Sequence, residues 1–216
     1  MKKIVCRIIN ILVFPFAFIW NAKISAYFDV LCSIVYSSFV KHRFCGARNL
    51  QVIGRPLHIM GGKHIEVGEN VQMFRYARIE AITSWRIAGQ IFNPKIKIGD
   101  NAVINSFCHI GCLDNVEIGN YSVIGARTYI TDHTHGSTEP DELQLPPRHR
   151  KLYSKGPVVI GEYVSIGEGC AIMPGVTIGD HTVIGANSVV TKDIPPYCVA
   201  AGNPAKVIKN MSENKC

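Results

Sequence analysis

From Ile160 the chain returns to an aliphatic residue every six positions, reading IGEYVS, IGEGCA, IMPGVT, IGDHTV, IGANSV, VTKDIP. All six hexads open with Ile or Val, and four of the first five continue with Gly. Upstream, Ile98, Ile104 and Ile110 open IGDNAV, INSFCH and IGCLDN; after a two-residue slip, Ile118, Ile124 and Ile130 open IGNYSV, IGARTY and ITDHTH. Val67, Met73 and Ile79 begin the pattern, the third hexad being truncated. A strand alternates faces every two residues and an amphipathic helix recurs at about 3.6, so neither alone produces a strict six. The period predicts short strands meeting at tight corners. The aliphatic residue points inward, and Gly, Asn or Asp supplies the turn conformation that a branched residue resists. Three sides close a coil of about eighteen residues, and the fifteen openings predict about five stacked coils sharing one aliphatic core.

Two stretches break the period. Residues 82–95 (ITSWRIAGQIFNPK) separate the first coil from the second. The longer break, 134–157, is polar and rich in Pro and charge, and begins beside His133 in TDHTHG. A solenoid accepts insertions only at its corners, and loops of this size without periodicity are usually functional or disordered. An imidazole where a strand ends and such a loop begins stands at a cleft wall.

The repeat resembles the hexapeptide left-handed parallel β-helix. That likeness alone carries the handedness, since parallel crossovers otherwise favour the right hand. The loop and the C-terminal stretch IGANSVVTKDIPPYCVAAGNPAKVIK are similar to the acetyltransferase branch of that family, including the galactoside, maltose and streptogramin acetyltransferases. Over residues 48–210, with an apolar extension in front, the chain resembles the O-acetyltransferases of bacterial surface-polysaccharide clusters. The resemblance implies acetyl-CoA as co-substrate and a saccharide hydroxyl as acceptor, with an antibiotic or other small acceptor as the alternative. It implies that His133 is the general base, with His135, two residues on in the DHTH element, as its competitor. Asp132 is a candidate to orient the imidazole, although a sequence neighbour on a strand is expected to point to the opposite face. Gly136 to Thr138 is similar to the streptogramin branch. Asn105 takes the place of an acceptor-contacting Asn, with a plain corner residue as the competing reading. Ala186, Thr191 and Lys192 correspond to the pantetheine and phosphate path, and Lys206 and Lys209 to basic contacts with the nucleotide phosphates. Those two lysines have a plain alternative as the solvated face of a short C-terminal helix. Where galactoside-type members place a Ser near the thioester oxygen, this chain has Glu168. A carboxylate repels an oxyanion, so a backbone N–H is expected to serve there. The resemblance also implies a homotrimer with active sites between subunits.

Charge refines this picture. The net charge of +7 is unevenly placed: residues 1–50 hold seven Lys/Arg against Asp29 alone, leaving the remainder near neutral. A nucleic-acid binder is set aside, because the body lacks clusters of basic and aromatic residues. In the front end, Ile8–Ala22 and Val30–Val40 are uncharged runs, each shorter than the roughly 20 apolar residues that span a bilayer. A signal peptide lacks a small-x-small cleavage site at the right distance. The leading expectation is peripheral membrane contact through residues 1–40, on the cytoplasmic side, with helices packed on the body or between subunits as the rival. The eight cysteines form no CxxC pair, so buried reduced thiols are preferred to a zinc half-site at Cys108–His109–Cys112, and no metal is expected. The rival functions are a zinc carbonic anhydrase using His133, His135 and His109 or His181, and a non-catalytic scaffold. The first has no use for the C-terminal cofactor signature, and the second needs no histidine at the large loop. The expected organisation is therefore an apolar basic helical extension (1–50), an all-β left-handed β-helix (51–194) with insertions at 82–95 and 134–157, and a C-terminal tail (195–216) ending in a short helix.

Overall fold

The computed structural model describes residues 22–211. After a helix, α1 (Ala22–Val40), and a short 3-10 turn (Lys41–Arg43), the chain winds as a three-sided solenoid. Its first face is an eight-stranded sheet running from Gln51–Ile53 to Cys198–Gly202 and Ala205–Asn210. The second has six strands, from His58–Met60 to Val189–Val190, and the third five, from Ile65–Val67 to Thr177–Ile178. The chain visits the three faces in turn and pairs each strand in parallel with its equivalent one coil away, as in Ile110↔Ile130 and Ile130↔Ile172. Six circuits are completed, one more than the hexads predict. The sides that the hexads miss carry Val52 and Ile59 at the start, seven and eight residues from the next inward position, and Ile194 at the end, four residues after Val190, and this uneven spacing hides the period.

Each circuit buries two residues per side. The hexad-opening aliphatic forms one layer, and the residue two positions earlier forms a second layer of smaller side chains. Ile160 and Val158, Ile166 and Val164, and Ile172 and Cys170 are all at most 2% exposed. In the small-residue layer a hydroxyl or thiol reaches a corner carbonyl: Ser122 Oγ donates to Gly161 O at 2.8 Å and Cys108 Sγ to Gly125 O at 3.1 Å. Cys170 Sγ does the same to Gly185 O at 3.2 Å. Those thiols are free, and burial pushes Cys108 up to about 11, so it serves as a small packing residue rather than a thiolate.

The corners depart from expectation in their chemistry. Beside Asn70, Asn101 and Asn187, the left-handed backbone position is held by Tyr76, Phe107, Tyr121, Tyr163, His181 and Tyr197, with φ between 54° and 62°. Tyr121, Tyr163, His181 and Tyr197 stack along one edge with ring centroids 4.7–4.9 Å apart, the spacing of the coils themselves. The left-handed conformation costs about 1–2 kcal/mol for a non-glycine residue, and an aromatic pair returns about 0.5–1.5 kcal/mol, so stacking offsets much of the strain.

Among the described residues the expected C-terminal helix is absent. Ala205–Asn210 is a strand that folds back antiparallel on Cys198–Gly202, pairing Ala201 with Lys206 and Val199 with Lys209. The last coil leaves an open sheet edge, and a returning strand satisfies its backbone groups where a helix on the same residues would not.

Candidate active site

Both insertions leave the solenoid at the corner between the second and third faces. The first carries a hairpin, Ser84–Trp85 with Gln90–Ile91. The second carries a hairpin, His133–His135 with Leu152–Ser154, and a one-turn helix, α2 (Pro140–Leu143). His133 is the first residue after the chain turns off the coil and is 6% exposed.

Asp132 occupies the turn itself and is fully buried. Its carboxylate accepts three successive backbone N–H groups from the corner one coil earlier: Leu113 (2.9 Å), Asp114 (2.7 Å) and Asn115 (3.0 Å). Such a run of amides is an anion cradle. Burial opposes ionisation, but the His133 ring and the Asp114 and Leu113 amides outweigh it and hold the carboxyl below its usual range. Asp132 Oδ1 lies 3.0 Å from His133 Nδ1. The expectation that neighbours in sequence point apart fails here because the strand Tyr129–Thr131 ends one residue earlier, and Asp132 belongs to no strand. An ionised carboxylate only accepts, so Nδ1 carries the proton and donates it to Asp132. Thr131 Oγ1 is a second acceptor at 3.0 Å from Nδ1, and the hydrogen bonds of His133 to the described residues all run through Nδ1 or its backbone, none through Nε2. This fixes one tautomer, leaving a free lone pair on Nε2.

The ring sits over a glycine. A Cβ at Gly111 would lie 3.1 Å from His133 Cε1 and 3.7 Å from His109 Nε2. Beyond it, Glu80 gathers three bases on the outer side of the second face: Arg78 Nε at 2.7 Å, His58 Nε2 at 3.0 Å and His109 Nε2 at 3.2 Å. Burial disfavours its charge, but the bonds from His109 and Arg78 prevail and lower its pKa to about 2. His135 is exposed, 6.0 Å from the His133 ring, with its own ring edge-on to Trp85 at 5.5 Å. Partial burial and the neighbouring His133 push its pKa down. Thr134, His135, Ser137, Arg150, Tyr153 and Lys155 line a cavity of about 380 Å³ in this loop.

The two insertions clasp each other. Gln90 brackets Leu152, donating from Nε2 to its carbonyl at 3.0 Å and accepting its N–H at 2.8 Å. Trp85 Nε1 donates to Arg150 O at 3.0 Å. Sequence reasoning missed Trp85, Gln90, Gly111 and Glu80. Gly111 and Glu80 are disguised as ordinary hexad positions, and an insertion without periodicity says nothing of what it touches.

The other candidates fall into separate groups. Thr191 stands two coils from Thr131 in the same column, about 10 Å along the axis, at the corner that bears His133. Lys192 follows it. Asn105 and Ala186 stand at the preceding corner, between the first and second faces, together with Glu168. Asn105 Nδ2 donates to Ile124 O at 2.9 Å, a corner-closing bond, and Glu168 is paired with Arg127 at 2.8 Å. Lys206 and Lys209 project from the returning strand on the first face. Ala186, Thr191, Lys192, Lys206 and Lys209 are all exposed. One chain therefore does not bring Asn105 and Ala186 to His133. His181 is held between Tyr163 and Tyr197 on yet another corner, apart from His133 and His135.

Comparison with known proteins bears on the family and the fold. The family of bacterial transferase hexapeptides (six repeats) matches residues 157–192. The chain is 38% identical over 169 residues to a putative lipopolysaccharide biosynthesis O-acetyl transferase, WbbJ, of Escherichia coli, covering 76% of this chain and 81% of that one. It is 37% identical to the galactoside O-acetyltransferase of the same organism, over 54% of this chain and 64% of that one. Among solved structures, AntD, an N-acyltransferase from Bacillus cereus in complex with dTDP and 3-hydroxybutyryl-CoA, superposes with a TM-score of 0.62 at 20% identity, covering 80% of this chain and 86% of that one. PerB from Caulobacter crescentus, in complex with CoA and GDP-perosamine, superposes with a TM-score of 0.51 at 24% identity, over 73% and 57%. At those identities the two structures speak for the fold, a left-handed parallel β-helix. A relative 38% identical over more than two thirds of both chains decides the family: this chain belongs to the hexapeptide-repeat transferases and is, within them, an acyltransferase.

Proposed function

We propose that the chain moves the acetyl group of acetyl-CoA to a hydroxyl of a saccharide, a precursor of O-antigen, capsule or a similar surface polysaccharide, on the cytoplasmic side where acetyl-CoA is made. The observation that carries the chemistry is the Asp132–His133 pair: a buried, amide-held carboxylate fixing an imidazole whose Nε2 lone pair is free. The acceptor oxygen attacks the thioester carbonyl while Nε2 takes its proton. The C–S bond then breaks, and the imidazolium returns the proton to the CoA sulfur. Asp132 stabilises that imidazolium without itself changing protonation. The transfer is direct, within a ternary complex. The acceptor class rests on the relative of Escherichia coli named for lipopolysaccharide biosynthesis.

A homotrimer completes the reading. The corner bearing Asn105 and Ala186 and the corner bearing His133 and Thr191 lie on different edges of one triangular column, so a second copy is needed to bring them face to face. A closed ring of three identical contacts does this with one interface.

A second histidine keeps a place in the test, because His135 is exposed on the wall of the loop cavity. Labelled acetyl transfer is to be measured on a panel of free and lipid-linked saccharides. His133→Ala should bind acetyl-CoA as before and lose about 10²- to 10⁴-fold in kcat, while His135→Ala keeps most of it. The reverse order would move the base to His135. Acetylation of chloramphenicol- or streptogramin-type drugs alone would overturn the saccharide reading.

A further inference from the structure

The helix α1 (Ala22–Val40) is attached by its polar side. Ser37 Oγ accepts the N–H of Val52 at 2.8 Å, Ser33 Oγ that of Gly54 at 3.3 Å, and Tyr36 OH that of Leu57 at 3.1 Å. Ser33, Tyr36, Ser37 and Val40 follow i, i+3, i+4, i+7, so they form one stripe. That stripe caps the exposed edge of the first coil, whose backbone donors would otherwise lack a partner in the sheet. The opposite side of the helix is apolar and uncovered in the chain: Tyr27 is 77% exposed, Leu31 58%, Ile34 58%, Val35 49% and Phe39 74%. An amphipathic helix on a globular body ordinarily turns these two sides the other way round. Five large side chains along four turns form a continuous strip, and such strips mark interaction surfaces.

We infer that this outward strip is a docking surface for an anionic lipid bilayer, with α1 lying in the plane of the interface. Charge points to lipid. The one acid of the first fifty residues, Asp29, lies with Ser33 and Tyr36 in the groove towards the body, away from the strip. Lys41 and Arg43 are exposed just past the C-terminal end of the helix, as is Arg48 beside Glu69, and Lys23 is exposed in its first turn. An apolar strip bounded by cations is the pattern of an interfacial helix on anionic lipid. The helix is long and apolar enough to cross a membrane by composition, with a mean hydropathy of 1.2. Crossing would strip the hydroxyls of Ser33, Tyr36 and Ser37 from the coil edge, so lying flat is the arrangement that keeps the first coil closed. The inference does not depend on the acceptor: a soluble saccharide would leave it standing.

The test is flotation of the full-length protein with vesicles of phosphatidylcholine alone or with roughly 30% phosphatidylglycerol. Wild type should float with the anionic vesicles and, at physiological salt, far less with the neutral ones. Leu31→Glu with Phe39→Glu should lower that partition by at least about tenfold while acetyl-CoA binding is unchanged, since two apolar anchors are replaced by charges that lipid excludes and anionic headgroups repel. Lys41→Glu, which leaves the strip intact, should weaken binding to anionic vesicles selectively. Wild type that stays with the soluble fraction overturns the inference. So does a double variant that floats like wild type, which would put attachment elsewhere in the first 21 residues. A double variant whose molar mass falls while flotation is unaffected assigns the strip to a contact between copies and overturns it equally.

Discussion

A methyl group at residue 111 would lie 3.1 Å from His133 Cε1 with the His109 ring on its other side. The ring is pinned at Nδ1 by Asp132 and Thr131, so it can yield only by tilting about that end, which displaces Nε2. Gly111→Ala is therefore expected to lower kcat by about 10- to 100-fold, the scale of a misplacement near 1 Å, and to leave acetyl-CoA affinity untouched. Single-turnover kinetics with saturating acetyl-CoA would show it; a variant as fast as wild type would mean the imidazole position is not critical. The histidine and its loop were legible from the sequence because an imidazole at a break in a strict period stands out. The glycine beneath it was not, because four of the first five C-terminal hexads carry Gly at that same position for the sake of the coil corner. Asp132 was read as pointing away, since alternation is a property of strands and its position in a turn is a property of the corner.

Glu80 belongs to the scale of elements, since its three partners sit on three neighbouring strands of the second face: His58, Arg78 and His109. It binds the first coils together laterally where the hairpin insertion interrupts the winding. Its pKa of about 2 in the folded chain lies below the ordinary 4.5, so the folded state prefers the carboxylate more strongly than the unfolded chain does. The resulting stability is fully present above pH 4.5 and is lost as pH falls towards 2. Glu80→Gln should cost about 1–3 kcal/mol near neutral pH, the range for charge-assisted bonds, and should flatten the decline between pH 4.5 and 2. Urea unfolding at stepped pH reads both; parallel curves for the two proteins would refute the link. At this scale the strands and both insertions were readable from hexads and their gaps. The C-terminal strand was not, because AKVIKN carries no signal that tells a helix from a strand. The open sheet edge left by the last coil decides it.

For the whole molecule the decisive fact is that a triangular column separates its edges. Ala186 and His133 lie on different corners of one chain, and the proposed trimer is the arrangement that would bring such corners together. Chains bearing His133→Ala and chains bearing Ala186→Trp should each be inactive. Mixed and reassembled at random they should recover roughly one quarter of wild-type activity, because a contact then joins an intact histidine corner to an intact cofactor corner. No recovery from assemblies of confirmed trimeric mass would place the whole site within one chain. The exposed apolar strip of α1 belongs to this scale as well. An apolar, basic front end is visible in the sequence, but which side of α1 faces outward is settled by three hydroxyls meeting three backbone N–H groups. By itself the sequence determined the solenoid, its aliphatic core, the two breaks and the histidine at the second, because a period of six and its interruption are properties of order along the chain. Tertiary structure alone decided the amide cradle of Asp132, the glycine under His133, the clasp of Gln90 on Leu152 and the outward turn of α1. Each of these is a contact between residues that the coil brings together across many positions, and no local pattern records it.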